Sequence, residues 1–120
     1  MEQNEILEGN KLIAEFMGIP KCKRCEDCDH YRFGSGIYHT PSEMQYHSSW
    51  DNWLMPVVEK IESLDDEDDD YLVEILGINC DILGNGGTMF SEELCDSKIE
   101  AVFKCLVQFI KWYNSQTTQS

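Results

Sequence analysis

The sequence predicts an α+β protein, in which three helices pack with a small antiparallel sheet made of a three-strand meander and a candidate hairpin. Three observations predict this class. Apolar residues recur with the period of a helix in two long segments, 48–64 and 97–114. Between them lie three short apolar runs separated by glycines, which is typical of a meander. A shorter helical pattern and a glycine-centred turn precede both segments.

The first helix is predicted over 10–17, where Asn10 is a suitable N-cap and Gly18 suits the position after the last turn. The region 20–48 that follows is rich in Gly, Cys, His and Tyr and has no helical period. Within it, HYRF and GIYHT flank the glycines of 34–36, which predicts a small hairpin.

The second helix is predicted over 48–64, with Ser49 as its N-cap. Pro56 interrupts the pattern, so it either kinks this helix or lies in its true first turn. The acidic run DDEDDD at 65–70 should be a solvated loop, because like charges repel one another along a helix.

Three strands are predicted over 72–75, 78–83 and 88–90, and a last helix follows them. This helix begins with a Ser-x-x-Glu capping box at Ser97, carries one apolar stripe and ends near Asn114. The apolar faces of helices and strands should meet in one core. The residues expected in it are Trp50, Trp53, Leu54, Val57, Ile61, Ile75, Ile82, Val102, Phe103, Leu106 and Ile110.

The length of 120 residues predicts a single domain over 1–120. No run approaches the roughly 18 apolar residues that cross a membrane. The start MEQNEILEG is too acidic and polar for a secretory signal, so we expect a cytoplasmic protein with reduced thiols and no membrane partner.

The net charge is −14, from 9 Lys and Arg against 23 Asp and Glu. Such a surface repels phosphate backbones, so direct nucleic-acid binding is not expected. It would attract a basic protein or imitate the charge of DNA towards one. The simpler interpretation is that the acidity keeps a small protein in solution.

The segment CKRCEDCDH at 22–30 predicts a candidate metal site. Cys22, Cys25 and Cys28 have the spacing C-x2-C-x2-C, and His30 follows. Zn²⁺ takes four Cys or His ligands in a tetrahedron, and a C-x2-C step lets two thiolates reach one ion. Basic neighbours would lower the pKa of these thiols.

Alternatives to a local zinc site stay open. Because three close cysteines strain one tetrahedral site, His39, His47 or a distant cysteine could replace a local ligand. An iron–sulfur cluster is disfavoured, since no Cys-Pro follows, and a metal-free thiol loop fits equally well. Cys80, Cys95 and Cys105 are predicted as core thiols rather than remote ligands.

A ligand pocket is the second candidate site. His39, His47, Trp50 and Trp53 lie in one stretch with two tyrosines, and such a set could bind a small planar ligand such as a nucleotide base. In the alternative interpretation, the tryptophans fill the core and the histidines make polar loop contacts. No catalytic motif is present, so no enzyme activity and no catalytic residue are predicted.

Three segments resemble a group of small phage and prophage proteins of the phage ABA-sandwich type, found largely in Bacteroidetes and their phages. The segments are NKLIAEFMG, YHSSWDNWLMPVVEKIE and SKIEAVFKCLVQFIKWYN. The resemblance implies one α+β domain with helices packed around a small sheet, and a phage or prophage origin. It brings no catalytic residues, and the Cys-rich segment departs from it.

This origin implies a small accessory protein that acts by binding in the host cytoplasm and counters host antiviral defence. It would either sequester a small signalling molecule, in a pocket that subunits of a homo-oligomer could share, or contact a host protein. A phosphate ligand would need basic residues, which cluster only at Lys21, Lys23 and Arg24. The alternative is a zinc-stabilised accessory domain without a ligand pocket.

Overall fold

The computed structural model describes residues 2–21, 30–64, 71–84, 87–93 and 97–117. These ranges contain three α-helices, one π-helical turn and two antiparallel sheets, which confirms the predicted α+β class. The elements in chain order are α1 (Gln3–Phe16), β1 (Tyr31–Gly34), β2 (Ile37–His39), the π turn (Trp50–Leu54), α2 (Met55–Glu62), β3 (Leu72–Leu76), β4 (Asn79–Gly84), β5 (Gly87–Glu92) and α3 (Lys98–Thr117).

The first helix begins at Gln3, so the prediction of Asn10 as its N-cap is wrong. Asn10 lies inside α1 and is fully buried. Its side-chain Nδ2 donates to the backbone carbonyls of Pro41 at 2.9 Å and Met44 at 3.3 Å. Asn favours cap positions because its side chain competes for local backbone groups, but here two distant carbonyls bind it instead.

The end of α1 is as predicted. Gly18 has a φ of 78°, in the left-handed region that favours glycine. The N–H of Gly18 donates to the Glu15 carbonyl, and the N–H of Ile19 donates to the Ala14 carbonyl. This pair of bonds is a Schellman motif, which satisfies carbonyls that the helix leaves free.

The hairpin is also confirmed. β1 and β2 pair antiparallel, with Tyr31 opposite His39, and the register shifts at Phe33. Gly36 has a φ of 74° in the turn between them.

A π turn precedes α2 and explains the position of Pro56. The N–H of Leu54 donates to the carbonyl of Ser49, five residues back, at 3.2 Å. The Ser49 hydroxyl makes no capping bond, so its predicted side-chain cap is absent. Pro56 lies in the first turn of α2, which is the second of the two predicted alternatives. Pro56 has no N–H to donate to the Asn52 carbonyl, and in a regular helix its ring would clash with that carbonyl. A regular helix therefore cannot continue through this point.

The three-stranded sheet has the order β3-β4-β5, as a meander requires. Leu72 lies opposite Leu83, and Gly77, with a φ of 61°, makes the tight turn between β3 and β4. β3 is therefore an edge strand. At this edge, Val73 donates its backbone N–H to Oε2 of Glu62 at 3.1 Å.

The last helix begins as predicted, with the Glu100 N–H donating to Oγ of Ser97 at 3.2 Å. It continues to Thr117, past the predicted end at Asn114. Ser115 lies in this extra turn and donates its hydroxyl to the Trp112 carbonyl at 2.7 Å. The helix packs on β4 and β5, while α2 packs on β3 and α1 packs on α3.

One hydrophobic core joins all three helices and both sheets. Every residue predicted for it is buried except Trp50, Trp53 and Ile75, which are partly buried at its margin. Cys80 and Cys105 are buried free thiols, which confirms them as core residues. None of the helices in the described ranges combines the length and the apolar character needed to cross a membrane.

Candidate ligand-binding pocket

A pocket of about 260 Å³ opens where α1 ends, the hairpin folds back and the π turn begins. Each of these elements contributes side chains because the Schellman end of α1 and the π turn both redirect the chain at this point. The lining residues are Met17, Ile19, Phe33, His39, Tyr46, Asn52, Trp53 and Pro56. A pocket of this volume is slightly below the roughly 300–1,000 Å³ typical of drug-sized ligands, so it suits a single ring system.

Trp53 is the centre of an aromatic cluster on the pocket wall. The centroid of its ring lies 5.2 Å from that of Phe33, 5.6 Å from that of His39 and 5.0 Å from that of Tyr46. Phe33 and His39 also contact each other, at 5.0 Å with their planes at 69°. Edge-to-face and tilted contacts of this kind hold each ring in one orientation. The cluster therefore offers fixed aromatic surface to a ligand.

The polar groups of the pocket are few. Asn52 is exposed and offers an amide donor and an acceptor, and His39 adds the two ring nitrogens of its imidazole. Burial raises the pKa of Tyr46 to about 12, so its phenol stays neutral at physiological pH. Among the described residues, the lining contains no Asp, Glu, Lys or Arg.

A carboxylate lies near the pocket histidine without lining the pocket. Glu43 accepts hydrogen bonds from the backbone N–H and hydroxyl of Thr40, at 2.9 and 3.2 Å. These bonds hold the pKa of Glu43 below its ordinary value, and the nearby His39 and His30 lower it further. His30 and His39 therefore both lie within electrostatic reach of one exposed carboxylate.

Of the four residues predicted to bind a ligand, the structure brings His39 and Trp53 together and places the other two elsewhere. Trp50 is partly buried against the core and does not line the pocket. His47 packs against Phe103 of α3, with ring centroids 6.2 Å apart, and its Nδ1 lies 3.3 Å from Nδ2 of Asn10. His47 thus makes a polar contact from its loop, as expected in the alternative interpretation of the sequence, in which the histidines make polar loop contacts.

Tyr46, one of the two tyrosines in the predicted aromatic stretch, also lines the pocket. The remaining lining residues were not predicted from the sequence: Met17, Ile19, Phe33, Asn52 and Pro56. Asn52 has a local signal, since it lies beside Trp53 in the π-helical turn before Pro56, and such turns occur frequently at functional sites. Phe33 carries no local signal, because only the tertiary fold brings the first strand of the hairpin to Trp53.

The predicted metal ligands Cys22, Cys25 and Cys28 lie outside the described residues. His30 is half-buried and precedes β1 directly. Among the described residues, no group of three or more His, Cys, Asp or Glu side chains is arranged to hold a metal ion. Zinc at this segment stays a prediction of the sequence.

Comparison of the chain with protein-family models, with curated proteins and with solved structures finds no match. The pocket and the distribution of charge are therefore the features of the chain that bear on its function.

Proposed function

We propose that this chain is a binding protein that holds one small, neutral, planar ligand, such as a nucleobase or nucleoside, against Trp53. The observation that supports this most directly is the convergence of His39, Trp53, Phe33 and Tyr46 on one pocket with an exposed amide beside them. Aromatic rings bind the faces of a planar heterocycle, and Asn52 can pair with its donor and acceptor edge.

The charge distribution favours a neutral ligand over a phosphorylated one. A phosphate at the pocket would find no Lys or Arg among the lining residues in the described part of the chain. It would also approach a chain of net charge −14, whose field repels anions. The neutral form of a nucleoside should therefore bind better than its monophosphate.

The composition of the pocket also favours binding without turnover. Within the described ranges, its lining offers one imidazole but no Ser, Thr, Cys, Lys or carboxylate to act with it as a nucleophile or second acid–base group. The resemblance to phage proteins extends this proposal to sequestration of a host molecule in the host cytoplasm, which would weaken a defence signal.

Calorimetric titration with adenosine, guanosine, cytidine and uridine, and with the matching 5′-monophosphates, tests the proposal. At least one nucleoside should bind with a dissociation constant in the micromolar to millimolar range and more tightly than its monophosphate. Stacking is worth about 1–3 kcal/mol per base, so Trp53→Leu should weaken binding by about 5- to 150-fold. Asn52→Ala should weaken it less, because the amide contributes hydrogen bonds but no stacking surface.

Trp50→Leu is the matched control, since it removes the same side chain from the same turn outside the pocket. It should leave the affinity unchanged. Equal loss in the Trp50 and Trp53 variants, or no binding of any nucleoside at millimolar concentration, would refute the pocket as a base-binding site. Appearance of a hydrolysis product after incubation would show an enzyme instead of a binding protein.

A further inference from the structure

One face of the meander packs on the helices, and the other carries exposed apolar side chains. Val73, Cys80 and Ile82 point to the helices and are buried. The alternate residues of β3 and β4 point the other way and are exposed or half-buried. We call this outer side the open face. Leu72 is 50% exposed, Leu76 is 58% exposed and Ile78, in the turn, is 45% exposed. Exposed apolar side chains that lie together are typical of an interaction surface.

Two carboxylates lie between these apolar residues. Glu74 sits directly opposite Asp81 across the β3–β4 pair, with Leu72 and Leu83 on one side and Leu76 on the other. The Oδ1 of Asp81 accepts a hydrogen bond from Ser91 of β5 at 2.6 Å. Like charges directly opposite across two strands destabilise a sheet. A cation placed between Glu74 and Asp81 would remove that cost.

A second copy of the chain does not suit this face. In a two-fold symmetric contact the same patch meets itself, so the acidic residues of both copies would be brought into one contact. Each copy also carries a net charge of −14. The charges on the open face complement a basic partner instead.

We propose that the open face binds a protein segment that carries Lys or Arg between two apolar residues. The basic side chain lies between Glu74 and Asp81, and the apolar residues contact Leu72 and Leu76. Because strand residues rise by about 3.3 Å each, these two leucines are about 13 Å apart, which matches apolar residues four positions apart in an extended segment. The open face shares no residue with the aromatic pocket. Peptide binding to this face can therefore be tested independently of the proposed nucleoside binding.

Selection from a random dodecapeptide library on the immobilised full chain tests the proposal. Wild-type protein should enrich peptides with Lys or Arg flanked by apolar residues. Their affinity, measured by fluorescence anisotropy, should fall by at least 10-fold for the Glu74→Gln/Asp81→Asn variant and should fall as salt rises. The charge-reversed Glu74→Lys/Asp81→Lys variant should enrich acidic peptides instead. Circular dichroism melts establish that each variant is folded. If the charge-reversed variant does not fold, the Glu74→Gln/Asp81→Asn variant alone tests the proposal.

Asp51→Asn/Glu59→Gln is the matched control, because both residues are exposed and the change in net charge is the same. It should leave peptide affinity within twofold of wild type. An equal loss in the control would show that only overall charge matters and would overturn the proposal. So would selected peptides without basic residues, or a wild-type dimer in sedimentation that Leu72→Ser/Leu76→Ser converts to monomer, which would make the face a contact between copies.

Discussion

The Nδ2 of Asn10 lies 3.3 Å from the Nδ1 of His47, and this contact joins α1 to the segment that follows the hairpin. The same Nδ2 donates to two backbone carbonyls of that segment, while Oδ1 of Asn10 is buried and has no hydrogen-bond partner among the described residues. The amide of Asn10 therefore positions the segment between the hairpin and the π turn. This segment supplies Tyr46 to the pocket.

Asn10→Ala should destabilise the protein markedly. The variant leaves the carbonyls of Pro41 and Met44 without this donor, and an unsatisfied buried polar group costs about 1–3 kcal/mol. Asn4→Ala, an exposed change in the same helix, should alter the free energy of unfolding by less than about 0.5 kcal/mol. Urea denaturation of both variants measures the difference. Equal effects would show that the Asn10 amide does not hold this segment.

Stability should depend on pH through His47. Burial lowers the pKa of His47 in the folded protein below its ordinary value. The unfolded chain therefore binds this proton first, so the stabilisation present above about pH 6.5 is lost as the pH falls through that value towards the folded pKa. The geometry agrees, because Nδ2 of Asn10 is only a donor, and Nδ1 can share one of its two hydrogens with a carbonyl only in a neutral imidazole that carries its proton on Nε2.

His47→Gln separates this effect from the titration of carboxylates, since Gln can accept the same hydrogen bond and does not titrate. Between pH 7.5 and 5.5, wild type should lose more stability in urea melts than this variant. Identical pH profiles would contradict the assignment.

Gly9→Ala should destabilise the contact between α1 and α3, although Ala is the better helix former by about 1 kcal/mol. A Cβ at Gly9 would overlap the ring of Phe103 and lie 3.1 Å from Cγ2 of Val107. Overpacking of this kind costs about 1–3 kcal/mol, so the net change should be neutral to clearly destabilising.

Gly87→Ala is the control for this substitution, because nothing lies within 4 Å of a Cβ there and that glycine has no positive φ. It should stabilise slightly or have no effect. Combining Gly9→Ala with Phe103→Leu should recover stability relative to the sum of the single changes, as residues in contact are not additive. If the two changes in the free energy of unfolding simply add, Gly9 and Phe103 are not in contact and the prediction is wrong.

Protein purified without chelator should contain close to one zinc per chain if the Cys-rich segment is a metal site. A Cys22→Ser/Cys25→Ser variant should lose it, because thiolates are the expected ligands. Asp27→Asn changes the same segment without removing a thiol and should retain the metal. Elemental analysis that finds almost no zinc in wild type would leave a metal-free thiol segment.

The parts of the fold that depend on local patterns could be predicted from the sequence. The capping box at Ser97, the glycines of the hairpin and the alternation of β4 each act within a few residues. The true start of α1 could not be predicted, because Gly9 and Asn10 are poor residues for a helix interior and are explained only by Phe103 and by the carbonyls that Asn10 binds.

The residues of the candidate site were also only partly predictable from local sequence. His39, Tyr46 and Trp53 could be selected as aromatic and imidazole groups in one stretch, but their partner Phe33 is brought to them by tertiary folding. His47 looked equivalent to His39 in sequence. Only its position beside Asn10 and Phe103 separates the two roles.

The hydrogen bond between Glu62 and the backbone of Val73 protects the edge of β3 from pairing with other chains at high protein concentration. β3 has the sequence LVEIL, and the unpaired edge of such a strand ordinarily recruits other strands into aggregates. A strand arriving here would have to displace the Glu62 carboxylate and tolerate its charge. Fibril growth from this edge is therefore opposed, while the leucine side chains of the same strand remain accessible on its face.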